Sequence, residues 1–336
     1  MPAVGAGTVP RVGPAGALPS ALVDRAAIPA GLALLREACP AIGRLRDMPG
    51  PARPEDWQEV CTALASGLPA PGAEARFLDR HFTALRLGDG TGLVTGYYAP
   101  EVPARAGPMP GLVPVLGPPA GLSCAGDPPP CPARAEIEAG ALAGRAPVLA
   151  FADPVDLFFL QVQGSGVLRF PDGTTAPVGF AGDNGHPYVA IGRLLRARGL
   201  LPPGAGMAEI RAWLRAHPEA GRALMQENPR YIFFARRPRE APVGTLGVPL
   251  APMRVAATDP AHVPLGALVW LESRTARGPL RALLLAADTG AAIRGPNRLD
   301  LFTGTGEAAG RVAGPLEARG RIALLLPRAA ADRLAR

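Results

Sequence analysis

The sequence predicts a mainly β protein with several helices, in which one β-rich domain is interrupted by a second. From about residue 248 to the end, short apolar segments alternate with turn signals, which is typical of strands. Helical patterns are instead confined to the first part and the middle of the chain. A Pro/Gly-rich passage from Val102 to Pro132 lies between these parts and indicates entry into a new domain.

The N-terminal part begins with a stretch that has no structural pattern. Residues 1–20 are rich in Pro, Gly and Ala, so we expect them to be disordered or a remnant of a targeting segment. The patterns that follow predict helices near residues 30–38, 54–66 and 72–86. The second helix starts at Pro54, which suits the first helical position. Gly92 to Tyr98 then predicts a strand.

The middle of the chain alternates between helix and strand signals. Helices are predicted at residues 134–142, 188–198 and 208–216 and just before Asn228, and strands at residues 147–152, 157–163, 166–170 and 231–235. The turn Pro171-Asp172-Gly173 closes a hairpin by its Asp-Gly chemistry. These patterns predict one domain from residues 21–103 and 242–327, with a domain of residues 104–241 inserted into it.

Composition and charge limit the function. The 336 residues carry a formal net charge of +7 and contain no lysine, so the basic side chains are all arginine. This charge predicts an anionic partner. The arginines are dispersed and not interleaved with aromatic residues, which argues against nucleic acid and favours an acidic cell-wall polymer. No apolar run approaches the roughly 20 residues that span a bilayer, so we expect a soluble or peripheral protein.

The four cysteines do not form a metal-binding pattern. Cys124 and Cys131 bracket a short loop and could form a disulfide in an oxidising compartment. Cys39 and Cys61 lie in helical patterns, where we expect buried free thiols. There is no C-x-x-C motif and the histidines are scattered, so no zinc site is expected.

Three aspartates of the last third are candidates for chemistry. Asp288 ends the apolar run Leu283–Ala287, which predicts a buried strand with a carboxylate at its end. Asp300 stands between two leucines, so on a strand it points to the opposite face. Two such acids close together would raise each other's pKa, as general acid catalysis requires. The alternative is that these aspartates, including Asp259, only cap turns.

The sequence around these aspartates resembles a known family. The motifs are A-D-T-G-A-A-I-R-G at 287–295, R-L-D-L-F-T-G-T-G at 298–306, T-G-Y-Y-A-P at 95–100, R-A-E-I-E-A-G-A-L at 134–142, D-L-F-F-L-Q-V-Q-G-S-G at 156–166, G-D-N-G-H-P-Y-V-A-I-G at 182–192 and N-P-R-Y-I-F-F at 228–234. In this order they resemble the MltA-type lytic transglycosylases of peptidoglycan, which carry a C-terminal three-aspartate (3D) domain. The resemblance runs from about residue 76 to residue 327.

This resemblance implies a fold, an activity and a location. The implied fold is a double-psi β-barrel interrupted by an inserted second β-rich domain, with a glycan groove between them. The implied activity is exolytic cleavage of the β-1,4 bond between N-acetylmuramic acid and N-acetylglucosamine, forming a 1,6-anhydro product without metal or cofactor. The partner would be peptidoglycan glycan strands in the cell envelope, in the periplasm or associated with the outer membrane. No signal peptide is visible in the sequence, which does not fit this location.

The resemblance also assigns roles to single residues. It places Asp300 at the catalytic position, where one carboxyl group serves as acid and then as base, with Asp288 supporting it. Asp259 is the third aspartate, which either contacts substrate or holds a turn. The segment that is similar to a wall of the glycan groove consists of Thr95, Gly96, Tyr97 and Tyr98. The alternative is that this segment is a core strand with one buried and one exposed tyrosine.

Two glutamines and a serine complete the set of candidate binding residues. Gln161 and Gln163 share one face at strand spacing and lead into Ser165 between two glycines. Amides on one face suit sugar hydroxyl groups, and glycines let a sugar approach the backbone closely. The alternative is that buried glutamines brace the fold.

Two other functions remain open from the residues. One is a hydrolase on the same barrel, in which Asp300 and Asp288 act as acid and base with water. The other is a glycan-binding protein without catalytic activity, against which the presence of all three aspartates argues.

Overall fold

The chain folds into two compact units. The computed structural model describes residues 12–14, 27–46, 49–121, 123–124, 126, 130–238 and 242–334. One unit, which we call the sheet unit, consists of Tyr98–Pro242 and Thr305–Gly314. The other, the barrel unit, holds the described residues up to Tyr97 together with Val243–Gly304 and the residues from Pro315 onward. Each unit is therefore built from more than one stretch of chain.

The secondary structure elements are numbered in chain order. The strands are β1 Val12–Pro14, β2 Phe82–Leu87, β3 Thr91–Ala99, β4 Glu101–Arg105, β5 Val113–Leu116, β6 Val148–Ala152, β7 Ser165–Arg169, β8 Thr175–Asp183, β9 Ile232–Arg236, β10 Val255–Thr258, β11 Leu268–Thr275, β12 Gly278–Thr289, β13 Arg298–Thr305 and β14 Glu317–Pro327. The helices are α1 Ala27–Ile42, a 3-10 helix Pro54–Trp57, α2 Gln58–Ala65, α3 Glu74–His81, α4 Arg134–Glu138, α5 Pro154–Gln163, α6 Ile191–Ala197, α7 Met207–Ala216, α8 Pro218–Gln226, α9 Gly306–Ala313 and α10 Arg328–Leu334.

Six strands of the barrel unit close into a barrel. Their order is β3-β14-β11-β12-β10-β13, and β13 pairs again with β3. Strands β10 and β12 run parallel, whereas β11 pairs antiparallel with both β12 and β14. Strand β2 continues from β14, and β1 from β2. Because the ring is closed, each of the six strands has a hydrogen-bonded neighbour on both sides, and the ring has no open edge.

Strand β12 lies at the centre of the barrel unit. Its residues from Ala282 to Ala287 are all buried, so both faces of this strand pack against protein. On one side the strand meets helix α1, where a Cβ on Gly31 would lie 2.9 Å from Leu283 Cδ2. The absent side chain at Gly31 therefore lets the helix approach the barrel closely.

A disulfide joins helices α1 and α2. It links Cys39 with Cys61, so the expectation of free thiols at these two positions is wrong. Both cysteines lie on helices, but a helical pattern cannot show that two faces 22 residues apart meet. A second disulfide links Cys124 with Cys131, as their spacing around a short loop allowed. Two disulfides are typical of proteins that fold in an oxidising compartment.

Removing the Cys39–Cys61 disulfide is expected to lower the free energy of unfolding. The double substitution Cys39→Ala/Cys61→Ala opens a loop of 22 residues, and loop-closure entropy gives a loss of about 3 kcal/mol. The matched control is Cys124→Ala/Cys131→Ala, whose cysteines are seven residues apart, with a smaller expected loss of about 2 kcal/mol. Urea denaturation of both variants tests which disulfide contributes more to the free energy of unfolding. A larger loss in the control would contradict the prediction.

The sheet unit contains a separate sheet of six strands. Their order is β5-β6-β4-β7-β8-β9. Strands β7 and β8 form the predicted hairpin, in which Asp172 accepts hydrogen bonds from the amide and hydroxyl groups of Thr174. A buried apolar cluster between the sheet and α5 contains Leu160 and Leu168, both fully buried. Helices α6, α7 and α8 pack in a second cluster around Leu195 and Leu214.

Helix α5 corrects the prediction of a strand at residues 157–163. The Asp153 carboxylate accepts hydrogen bonds from the amides of Val155 and Asp156, and Pro154 occupies the first turn. The helix ends at Gly164, whose φ of 76° is left-handed. The apolar run inside the segment suggested a strand, but the start and stop signals on either side specified a helix.

Other elements also differ from the predictions. The pattern at residues 72–86 divides into helix α3 and strand β2. Helices α9 and α10 lie in the C-terminal region that was expected to be all strand and turn. The stretch 1–20 contains the short strand β1, and its other residues lie outside the described ones. Within the described residues, no helix combines the length and apolar character needed to cross a membrane. The prediction of a β-rich protein with several helices is confirmed at this level.

Candidate active site

Asp288 and Asp300 lie on either side of strand β10. Ala257 pairs with Asp288 of β12 on one side and with Asp300 of β13 on the other. Neighbouring strands are about 4.8 Å apart, so the two aspartate Cα atoms are about 10 Å apart with side chains on one face of the sheet. Leu299 and Leu301 are fully buried on the opposite face, as the alternation around Asp300 predicted.

A β-bulge in β12 places Asp288 directly opposite Ala257 of β10. Ala256 pairs with Ala286, but the next residue, Ala257, pairs with Asp288, so Ala287 is the additional residue. The carbonyl of Ala287 accepts a hydrogen bond from the amide of Leu246 at 3.0 Å. The bulge therefore aims the Asp288 side chain and leaves a carbonyl to hold the loop that follows Pro242.

Four hydrogen bonds hold the Asp288 carboxylate. Its Oδ1 accepts from the Thr245 amide, the Thr245 hydroxyl and the Thr289 amide, each at 2.9 Å. Its Oδ2 accepts from the Tyr97 hydroxyl at 2.8 Å. Burial raises the pKa of Asp288, and these donors act in the opposite direction. The donors fix the orientation of the carboxylate, but they do not cancel the effect of burial, so the pKa of Asp288 stays above its ordinary value.

Asp300 has a different environment. One hydroxyl, that of Thr95, donates to its Oδ1 at 2.5 Å. Burial raises the pKa of Asp300, and the negative charge of Asp288 raises it further. The Thr95 hydrogen bond and the charge of Arg298 oppose this shift without cancelling it. Burial raises the pKa of both carboxyl groups, but Asp300 has one described side-chain donor where Asp288 has four hydrogen bonds, and the charge of Asp288 acts on Asp300. Of the two, Asp300 is therefore the carboxyl group better suited to carry a proton.

Strand β3 supplies the hydroxyl groups to both aspartates. Thr95 and Tyr97 are two residues apart, so they share a face of the strand, and Gly96 lies between them. Burial raises the pKa of Tyr97 well above its usual value, as does the charge of Asp288. Tyr97 therefore remains a neutral hydroxyl donor at physiological pH. Of the three residues, Thr95 and Gly96 keep partial exposure, whereas Tyr97 is buried.

Tyr98 belongs to the sheet unit. Its ring packs on helix α9, where a Cβ on Gly310 would lie 3.0 Å from the ring. Its amide donates to the side chain of Gln163 at 3.1 Å. The alternative interpretation of a core strand expected one exposed tyrosine, but both tyrosines of this segment are buried.

Gln161 and Gln163 do not share a face, because helix α5 turns them apart. The Gln161 amide accepts from Arg134 at 2.7 Å and donates to the Ile232 carbonyl at 3.2 Å. It is buried, so it braces the sheet unit, which was the alternative interpretation. Ser165 is also buried, at the start of β7. Substrate binding by these three residues stays a prediction.

Asp259 forms a turn next to the barrel. Its Oδ1 accepts from the amide of Ala261 at 3.2 Å, and its Oδ2 accepts from the amide of Gly295 at 2.8 Å. The second bond ties the turn after β10 to the segment that leads into β13. Asp259 thereby supports the strand that carries Asp300, and a contact with substrate stays a prediction.

Thr245 is the site residue that sequence reasoning missed. It lies in a segment without a periodic pattern, 43 residues before Asp288. Its hydroxyl also lies 2.8 Å from the Thr289 hydroxyl. A threonine in a loop carries no signal of its own, so only the fold could reveal this role. Among the described residues, no cluster of three or more His, Cys, Asp or Glu side chains is arranged to hold a metal ion.

Comparisons with known proteins agree with the motifs. The MltA specific insert domain matches residues 93–235, and the 3D domain matches residues 254–326. The membrane-bound lytic murein transglycosylase A of Vibrio cholerae is 37% identical over 247 residues, which cover 69% of this chain and 65% of that protein. The chain therefore matches a little less than two thirds of that relative's length.

Solved structures extend the likeness to most of the chain. A membrane-bound lytic murein transglycosylase from Agrobacterium tumefaciens superposes with a TM-score of 0.81 at 30% identity, covering 90% of this chain and 94% of that one. Escherichia coli MltA with bound chitohexaose superposes with a TM-score of 0.69 at 28% identity, covering 89% and 90%. Family models, a curated relative and solved structures thus agree: the chain belongs to the MltA family of membrane-bound lytic murein transglycosylases.

Proposed function

We propose that this protein is a peptidoglycan lytic exotransglycosylase, a carbon–oxygen lyase that cleaves between N-acetylmuramic acid and N-acetylglucosamine. The observation that carries the proposal is the pair of aspartates flanking Ala257. Asp300 has a raised pKa beside Asp288, in a chain of this family. A carboxyl group that can hold a proton next to a second carboxyl group oriented by four hydrogen bonds suits a glycosidic cleavage.

Asp300 acts first as the general acid. Its carboxyl group donates a proton to the glycosidic oxygen as the bond from that oxygen to C1 of N-acetylmuramic acid breaks. The departing sugar leaves with a free hydroxyl group, and positive charge develops on C1 and the ring oxygen. Asp300 becomes a carboxylate, which Thr95 stabilises through its hydrogen bond.

Asp300 then acts as the base. Its carboxylate takes the proton of the C6 hydroxyl group of the same N-acetylmuramic acid while O6 forms a bond to C1. The 1,6-anhydro ring closes, Asp300 recovers its proton and no water is consumed. Because the nucleophile belongs to the substrate, its effective concentration is high and a second catalytic base is unnecessary.

Asp288 stabilises the positive charge that develops on C1 and the ring oxygen of the sugar. Its carboxylate is fixed by donors from Thr245, Thr289 and Tyr97, so it needs no reorganisation when positive charge appears on the sugar. Its negative charge also raises the pKa of Asp300, which favours the protonated form of the acid before reaction. One residue thereby serves both steps of the mechanism.

Peptidoglycan glycan strands are the proposed substrate. A homologue with the same fold binds chitohexaose, a glycan of β-1,4-linked units. In this chain, Thr95 and Gly96 are the candidate binding residues that keep partial exposure beside Asp300. We expect them to approach the sugar bound at the cleavage position.

The proposal also includes a double-psi barrel topology, an inserted domain and a location in the cell envelope. The six-stranded barrel with its parallel β10–β12 pair is compatible with a double-psi topology. Residues 104–241 would be the inserted domain, and the glycan groove stays a prediction. The relatives are named membrane-bound, and both disulfides suit an oxidising compartment, which supports the cell envelope with association to the outer membrane.

Product analysis tests the function. Purified sacculi are digested with the full chain, with Asp300→Asn and with Asp332→Asn, a control at an exposed position of helix α10. Mass spectrometry is expected to show anhydromuropeptides from the wild type and the control only. Products heavier by one water would instead identify a hydrolase. Retained binding to sacculi without any product from the wild type would identify a glycan-binding protein.

Thr245→Val is expected to reduce kcat by about tenfold, because the Asp288 carboxylate loses one hydrogen bond worth about 1.5 kcal/mol. Thr245→Ser keeps the hydroxyl group and is the matched control, with activity close to that of the wild type. Steady-state kinetics on soluble glycan fragments separate kcat from KM. Equal losses in both variants would show that the hydroxyl group has no positioning role.

A further inference from the structure

One face of the barrel carries a regular array of arginines. In the barrel, Glu272 of β11 pairs with Arg281 of β12 on one side and with Arg321 of β14 on the other. These three side chains therefore form one row across three adjacent strands, on the same face. All three line a cleft of about 410 Å³.

A second row lies beside the first. Arg274 is two residues from Glu272, and Arg319 is two residues from Arg321, so both point to the same face as the first row. Both also line the cleft. We call Arg274, Arg281, Arg319 and Arg321 the arginine face.

The arginine face is short of negative charge. Glu272 binds Arg281 at 3.3 Å and Arg321 at 2.5 Å, so one carboxylate is shared by two guanidinium groups. No described carboxylate lies within salt-bridge distance of Arg274 or Arg319. Among the residues that line the cleft, four arginines and one glutamate give a net charge of +3. Like charges on adjacent strands repel each other, so an external anion would stabilise this face.

The distance from the arginine face to the aspartates differs between strands. Arg281 and Asp288 lie seven residues apart on the same strand β12, which corresponds to about 23 Å. Arg319 lies nearer to the site, because it pairs with Leu93, two residues from Thr95 on β3. Binding and glycan cleavage are therefore measured separately in the test below.

We propose that the arginine face docks the barrel unit onto a surface of anionic lipid headgroups. A guanidinium group binds phosphate through two parallel hydrogen bonds, so an array of four arginines suits a set of phosphate groups. The four arginines are exposed and extend over three adjacent strands in two rows, so the face is larger than one phosphate group. This extent fits a surface of several headgroups. The docking would hold the barrel unit against that surface.

Vesicle binding tests the proposal. The full chain is co-sedimented with mixed phosphatidylcholine–phosphatidylglycerol vesicles and with pure phosphatidylcholine vesicles, at low and at high salt. We expect binding to the anionic vesicles only, and its loss at high salt because the charges are exposed. Arg274→Gln/Arg319→Gln removes two charges without breaking a described salt bridge. It should weaken binding by about 25-fold, at about fivefold for each arginine.

The matched control is Arg36→Gln/Arg222→Gln, which removes the same charge from two other exposed positions. We expect it to bind anionic vesicles nearly as the wild type does, and both double variants to cleave soluble glycan fragments at the wild-type rate. Equal losses of binding in the two variants would overturn the proposal in favour of a general charge effect. Wild-type binding of inorganic phosphate without vesicle binding would overturn it in favour of a soluble ligand.

Discussion

Asp300→Asn is expected to reduce the rate of glycan cleavage by about a thousandfold, the usual size of general acid–base catalysis. The amide cannot protonate the glycosidic oxygen or accept the proton of the C6 hydroxyl group. Its oxygen can still accept the hydrogen bond that Thr95 donates, so the strand geometry should persist. Single-turnover kinetics on soluble glycan fragments measure the loss.

The Asp332→Asn control and a binding measurement separate chemistry from folding. Asp300→Asn should still co-sediment with sacculi, because only the transferred proton is missing. A variant that retained activity within tenfold of the wild type would remove Asp300 from the catalytic role.

The same substitution is expected to stabilise the folded protein at neutral pH. Burial raises the pKa of Asp300 above the ordinary value of 3.8, so the folded state binds more protons than the unfolded state above that pH. Stability contributed by this group therefore falls as pH rises from about 3.8 through the folded pKa. Asparagine removes the cost of the buried charge. Urea denaturation at pH 7 and at pH 3 should show a gain for the variant at pH 7 only.

Asp288→Asn is expected to lower kcat/KM by about a hundredfold, as removal of a preorganised electrostatic group does. The amide oxygen can accept from Thr245 and Thr289, and the amide nitrogen can donate to the oxygen of Tyr97, so the local structure should be kept. The loss is then due to the missing negative charge beside the developing positive charge on the sugar.

The pH profile distinguishes this role from a structural one. The charge of Asp288 raises the pKa of Asp300, so its removal lowers that pKa. The reaction needs protonated Asp300, and activity is lost as pH rises through its pKa. The alkaline limb of kcat/KM should therefore move to lower pH in Asp288→Asn. An unmoved limb would show that the two carboxyl groups are not coupled.

Local chemistry could be predicted from the sequence. The alternation around Asp300 placed its side chain on the face opposite two leucines, and the structure shows these leucines fully buried. The hairpin at Asp172-Gly173 followed from turn chemistry in the same way. The long motifs identified the family, which the comparisons confirm. All of these signals are contained within a few consecutive residues.

Contacts between distant segments could not be predicted. The Cys39–Cys61 disulfide depends on how two helices pack, and the separation of Gln161 from Gln163 depends on a helix whose apolar run resembled a strand. In this segment the residues at the two ends of the helix decided the structure. The N-terminal cap accepts hydrogen bonds from backbone amides inside the segment itself, whereas a strand would need a neighbouring strand to accept them.

The sequence by itself determined the family, the β-rich character with several helices, and the aspartates on which the chemistry is proposed to depend. The tertiary structure decided how those aspartates are held. It placed Asp288 and Asp300 on either side of Ala257 through a bulge, and brought Thr95 to Asp300 from 205 residues away. The physical reason is that periodicity and turn chemistry act between near neighbours. Strand register and hydrogen bonds between distant segments arise only when the whole barrel closes.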